Sequence, residues 1–161
     1  MAAPTTLSTT FTTPSDRELV AVRVFDAPKS RLWDMHTRCE HMQQWMLGPE
    51  GMSMPVCEMD FRPAGKWHYV WQSPDGSMME MNGVFKEILP GEKIVQTENW
   101  GGDFPETLNT TVLNEANGRT TITTTVLYPS KKDRAEALAT GMKEGWSESY
   151  DRLDDYLRRT R

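Results

Sequence analysis

Between Met35 and Trp45 the chain reads MHTRCEHMQQW, a stretch holding two of its three histidines, one of its two cysteines and a glutamate. Imidazole and thiolate are zinc ligands, and a Cys–His pair can also act as an activated nucleophile. Helical geometry works against both uses. Cys39 and His41, two positions apart on a helix, point ~200° from each other around the axis. Thr37 and Glu40 have the T-x-x-E spacing of a capping box, which would occupy Glu40 at the start of a short helix. His36 falls before that cap, on a different helix. No metal and no cofactor are therefore expected. His36 keeps two readings, a core histidine bonded to a backbone carbonyl or a polar contact for a ligand.

A second set with chemical potential lies in KIVQTEN. If Ile94 faces inward, alternation turns Gln96 and Glu98 inward as well, where Tyr69 and Thr124 could join them. A one-residue bulge would turn both outward. An inward Glu98 needs a partner or must titrate high, the way a general acid is tuned. Glu98 and His36 are thus the two acid–base candidates, although no catalytic set is assigned. Cys57 alternates inward in an apolar strand, where a thiol is inert. There is no G-x-S-x-G, no glycine-rich phosphate loop and no paired-carboxylate motif.

The elements that must position these residues can be read from periodicity. RELVAVRVFDAP predicts a first strand carrying Leu19, Ala21, Val24 and Phe25, and Pro28 suits the first turn of a helix. Two short helices follow, the second placing Met42, Trp45 and Met46 at helical spacing before Gly48-Pro49. From Val56 to Tyr128 the period is two. Cys57, Met59 and Phe61 share one face, as do Trp67, Tyr69 and Trp71, and Met79, Met81, Gly83 and Phe85. Asn117-Gly118 is a hairpin signal between two threonine-rich strands. From Lys131 to Arg159, Ala135, Leu138, Met142, Trp146, Tyr150, Leu153 and Leu157 form one stripe of a helix about 40 Å long if unbroken. Ser130 and Asp133 would cap its start, while Gly141 and Gly145 inside it suggest a bend or a close approach. The fold class is α+β: a curved antiparallel sheet of six to seven strands around one long C-terminal helix, with two short helices after the first strand.

The chain has 161 residues, with 18 basic and 23 acidic side chains and a net charge of −5, enough for one domain. Residues 1–16 are poor in large apolar side chains and read as a flexible tail, leaving 17–161 as the single domain. No basic stripe suggests nucleic acid, and no apolar run is long enough for a membrane span. Two cysteines make no disulfide framework, so Cys39 and Cys57 are expected as free thiols in a reducing, cytoplasmic setting.

The segments RVFDAP, LWDMHT, HMQQWMLGP, CEMDFRPAGKW, MNGVFKEILPGEKIVQT, GRTTITTTVLYPS and ATGMKEGWSESYDRLDDYL, in that order, resemble the SRPBCC (START-like, helix-grip) superfamily. The likeness is to the branch named after activators of the heat-shock-protein-ninety ATPase. It implies a helix-grip fold with a hydrophobic cavity between sheet and long helix. Members variously bind lipids, steroids, polyketides or plant hormones, and some cyclise polyketides. In a eukaryotic group they stimulate a chaperone ATPase. In that family the position of His36 is commonly a large apolar residue. The expectation is a binding protein for a small apolar or aromatic molecule, contacted by Trp45, Met59, Trp67, Tyr69, Trp71, Met79, Met81, Phe85, Met142 and Trp146 and oriented by Gln96, Glu98 or His36. Eight of eleven methionines lie between Met42 and Met81, which suits an adaptable lining, although such stripes also form solid cores. The alternatives are a cyclase or hydrolase using the same cavity and a chaperone co-regulator. A homodimer is left open.

Overall fold

The computed structural model describes residues 8–102 and 104–160. Its strands are β1 (Thr10–Thr12), β2 (Glu18–Phe25), β3 (Ser53–Met59), β4 (Lys66–Gln72), β5 (Met78–Leu89), β6 (Lys93–Glu98), β7 (Thr107–Ala116) and β8 (Arg119–Leu127). The helices are α1 (Lys29–Thr37), α2 (Cys39–Trp45), α3 (Lys131–Leu138) and α4 (Met142–Arg159). All eight strands form one antiparallel sheet in the order β1-β2-β8-β7-β6-β5-β4-β3. The meander from β3 to β8 is as predicted. The additional strand is β1, where Thr10, Phe11 and Thr12 pair with Val22, Ala21 and Val20. Part of the expected tail is therefore an edge strand, anchored by Phe11 packing edge-on against Trp146. Residues 1–7 of that tail lie outside the described residues.

Alternation puts Leu19, Ala21, Arg23 and Phe25 of β2 on the inner face, so Arg23, not Val24, lies inside. Arg23 is 2% exposed and bonds Asp151 of α4 at 2.7 Å, with its guanidinium over the Phe25 ring, 5.5 Å from the centroid. Asn117 and Gly118 both have positive φ, the requirement of the tight hairpin joining β7 to β8. Ser130 accepts a hydrogen bond from the Asp133 amide, capping α3 as its spacing indicated.

Three expectations are corrected. The C-terminal helix is not continuous: Gly141 adopts φ 82°, a left-handed conformation that glycine takes without a Cβ clash, and it separates α3 from α4. Gly145, inside α4, lets the chain at Pro49 come close, 3.4 Å from where a Cβ would stand. The Thr37–Glu40 capping box does not form. α1 runs through Thr37, whose hydroxyl donates back to the Trp33 carbonyl, and Arg38 in extended conformation precedes α2 without a side-chain cap. Finally, Cys39 and Cys57 are not free thiols. They are joined in a disulfide, with Cα atoms 5.7 Å apart, that ties α2 to the edge strand β3. Sequence separation alone concealed that α2 folds back over this strand. The free-thiol argument for a reducing compartment lapses with it.

The interior comprises three apolar clusters. One gathers Phe25, Leu32, Met35, Trp45, Leu113, Ile122, Tyr150, Leu153 and Leu157 between β2, β7, β8 and the helices. A second joins Met42, Met54, Trp67, Tyr69, Trp71, Met81, Phe85 and Ile94. The third, smaller one is Leu19, Val126 and Tyr128, with Met142 and Trp146 against it. Burying each large side chain contributes about 1.5–3 kcal/mol. Arg152 of α4 donates to the Trp45 and Gly48 carbonyls, satisfying acceptors at the C-terminal end of α2 and fixing α4 to it.

Candidate functional site

The inner face of the central strands is where apolar clusters give way to polar groups. The β6–β7 register pairs Ile94 with Thr111, Gln96 with Asn109, and Glu98 with Thr107. β7 pairs with β8 so that Asn109 faces Val126 and Thr111 faces Thr124. Gln96, Glu98, Thr107, Asn109, Thr111 and Thr124 thus form a polar strip on the same face as the core. The irregularity of β5–β6 pairing falls between Phe85 and Glu87, and Gln96 and Glu98 remain inward. The bulge therefore lies in β5 and leaves β6 in step.

Glu98 accepts from Asn109 Nδ2 at 2.7 Å on Oε2 and from Trp100 Nε1 at 2.9 Å on Oε1. Burial lifts its carboxyl to about 7, against the opposing pull of those two donors. The phenols of Tyr69 and Tyr128 are both raised, first by burial and then by the Glu98 charge, Tyr128 to about 12. Tyr69 belongs to the second cluster and Tyr128 to the third, so the Glu98 charge is felt in both. The side chains of Gln96 and Glu98 nevertheless retain partial solvent exposure.

Trp100, in the loop that follows β6, is brought to this strip. Its ring stacks on Trp71, with centroids 5.9 Å apart and planes at 18°, while its indole N–H holds Glu98. At 37% exposed, Trp100 has one side in water. Asn109 and Tyr128 were also missed. The signal for Asn109 was available, because it has the parity of Leu113 in TLNTTVL.

The other predicted contacts distribute differently. Trp45, Trp67, Tyr69, Trp71, Met81 and Phe85 are all buried, and Met59 is packed against them. Met79 pairs with Trp71 but is largely exposed. Met142 and Trp146 lie on α4, with Met142 Sδ accepting from the Tyr128 hydroxyl at 3.4 Å. His36 sits between Trp45 and Tyr150, ring centroids 4.9 and 6.5 Å away. Its Nδ1 donates to the Leu32 carbonyl at 2.8 Å, leaving buried Nε2 without a partner among the described residues. Burial lowers its pKa to about 4, so the ring is neutral at ordinary pH. The remaining members of the 35–45 stretch diverge: His41 meets the Tyr156 hydroxyl, and Cys39 is bonded to Cys57.

The outer face carries a separate surface groove lined by Glu58, Asp60, Lys66, His68, Asn82 and Glu106 among others. His68 bridges Glu58 and Glu80 across three strands, and hydrogen bonds to both raise its pKa.

The profile of the activator of Hsp90 ATPase homolog 1-like protein family matches residues 26–158. Among solved structures, a Rhodobacter sphaeroides protein is 25% identical, covering 94% of this chain and 99% of its own, with a TM-score of 0.90. A Mycobacterium smegmatis protein is 23% identical over 93% of this chain and 96% of its own, with a TM-score of 0.84. One from Nitrosomonas europaea is 22% identical over 91% and 97%, with a TM-score of 0.81. No match was found among curated protein sequences.

Proposed function

The chain belongs to the activator of Hsp90 ATPase homolog 1-like family, and on that footing we propose that it is a binding protein for a small apolar or aromatic molecule held between the sheet and α4. The observation that supports this reading is the state of Glu98, which is desolvated by its surroundings yet accessible to water, on a polar strip between apolar clusters. The strip puts a carboxylate, two amides and three threonines on one inward face beside apolar clusters, which supports the reading because a small-molecule site carries a few convergent polar groups in an apolar lining. Trp71, Trp100, Tyr69 and Tyr128 supply flat apolar surface beside the polar groups, the usual composition of a small-molecule site.

A thermal-shift screen with apolar and aromatic compounds, followed by native mass spectrometry of hits, tests the reading. A ligand present at about a hundred times its Kd should add about 2.7 kcal/mol of stability. A screen in which no compound raises the melting temperature, with no mass adduct on the purified protein, sinks it.

One specific observation favours a second reading, an enzyme using the same space. Glu98, at about 7, is poised to exchange a proton near neutrality, the property of a general acid or base. His36, neutral and bonded to Leu32, is not poised this way, so Glu98 alone carries the catalytic alternative. Conversion of any bound compound by the wild type, lost in Glu98→Gln, would favour the enzyme. The chaperone co-regulator role rests on the family's description alone, and an ATPase assay with added chaperone addresses it.

A further inference from the structure

Glu98 has an unusual set of neighbours for an enclosed carboxyl. Its two hydrogen-bond donors, Asn109 and Trp100, are both neutral, and no cation contributes to its ionisation among the described residues. By contrast the buried Arg23 is paired with Asp151. Each carboxylate oxygen of Glu98 has accepted one hydrogen bond and can accept another. Beside it stand the stacked indoles of Trp71 and Trp100 and the phenols of Tyr69 and Tyr128, which are electron-rich faces.

An uncharged ligand would leave this negative charge uncompensated in a poorly solvated place or force it to take up a proton. An anionic ligand would be repelled. A protonated amine would supply the missing counter-charge, donate to the free lone pairs and be attracted to the ring faces as well. We propose that the ligand is an organic cation, an ammonium or amidinium on an aromatic or apolar body, with Glu98 as its counter-ion and the exposed ring of Trp100, backed by Trp71, as its wall. Trp100 then has a double role: it holds Glu98 through its indole N–H and presents its ring at the opening. The assignment rests on the ligand-binding reading above and adds the charge of the ligand to it.

The test uses phenyl, naphthyl and indolyl bodies, each prepared as an aminomethyl, a hydroxymethyl and a carboxylate compound, titrated calorimetrically into the full chain at pH 8 and pH 6. On at least one body the amine should bind about tenfold or more tightly than the alcohol at pH 8, and the carboxylate should be the poorest. The amine's advantage should shrink at pH 6, where Glu98 takes up a proton. Glu98→Gln should bind amine and alcohol alike. If the alcohol equals or exceeds the amine on every body that binds, the charge assignment falls while the binding reading stands. An amine preference that survives Glu98→Gln likewise overturns it. If no compound binds the wild type, the binding reading fails and the assignment goes with it. The wild-type comparison of head groups remains decisive even if the variant does not fold.

Discussion

Replacing both cysteines, Cys39→Ser with Cys57→Ser, removes the covalent link between α2 and β3 without leaving a reactive thiol. The two residues are 18 apart in sequence. Closing a loop of that length in the unfolded chain costs about 11 cal/mol/K of entropy, so losing the link should cost about 3 kcal/mol at 25 °C. In a chain of this size one kcal/mol moves the melting temperature by roughly 2–4 °C, so the variant should melt roughly 6–12 °C lower. The bond's side chains are half-buried, so the serine substitution itself adds little. Urea unfolding of the oxidised wild type, the same protein in reductant, and the double variant should give one high midpoint and two similar low ones. Alkylation and intact mass establish the thiol count in each sample. If the folded, unreduced protein alkylates at both cysteines, the pairing is wrong. If the bond is present and yet all three samples unfold together, the loop-entropy reasoning is wrong, and the unfolded chain already keeps α2 near β3.

Glu98 and His36 should tilt the pH dependence of stability in opposite directions. Glu98, raised from 4.5 to about 7, favours folding less as pH rises across that interval, because the unfolded chain ionises first. His36, lowered from 6.5 to about 4, costs stability as pH falls across its own interval, on the order of 3 kcal/mol by its end. Urea midpoints from pH 4 to 8 should therefore slope upward with pH in Glu98→Gln and downward in His36→Phe; parallel profiles would contradict the assigned environments. His68, raised by Glu58 and Glu80, contributes stability that is fully present below 6.5 and is lost as pH rises through its folded value. His68→Gln should thus differ from wild type more at pH 5.5 than at pH 9, by a small, salt-sensitive margin given its exposed position. A Cβ at Gly83 would stand 1.9 Å from the Thr97 carbonyl oxygen and 2.7 Å from the Trp67 ring. Gly83→Ala should cost about 1–3 kcal/mol or more in a denaturant titration, and an unchanged midpoint would mean that β5 and β6 are not this close.

Period-two alternation made the meander legible, because one face of each strand had to be apolar. For Gln96 and Glu98 it left two sides open, inward with Ile94 or outward past a bulge, and the choice fell to β5, where the register shift lies. The break at Gly141 was less legible: glycine at that position suits a bend, a close approach or a left-handed joint, and only the course of the chain selects one. The capping motif at Thr37 misled because α1 extends through that residue, and a threonine at a helix C-terminus can bond back to its own helix. Trp100 was not recognised as part of the site, since a loop has no periodicity to show where a side chain turns. The disulfide depended on α2 lying over β3, a tertiary fact that spacing does not encode.

The two rims of the sheet bear on how this protein meets copies of itself. An open edge strand offers unpaired amides and carbonyls to any other strand, and with it a path to aggregation. Here one rim, among the described residues, is the three-residue β1. The other, β3, contains Pro55, which has no amide to offer, shifts register between Ser53 and Val56, and is bonded to α2. Neither rim is a regular template for strand addition. Self-association by extending the sheet is disfavoured at both ends, which favours the faces over the edges for any contact between copies of this chain.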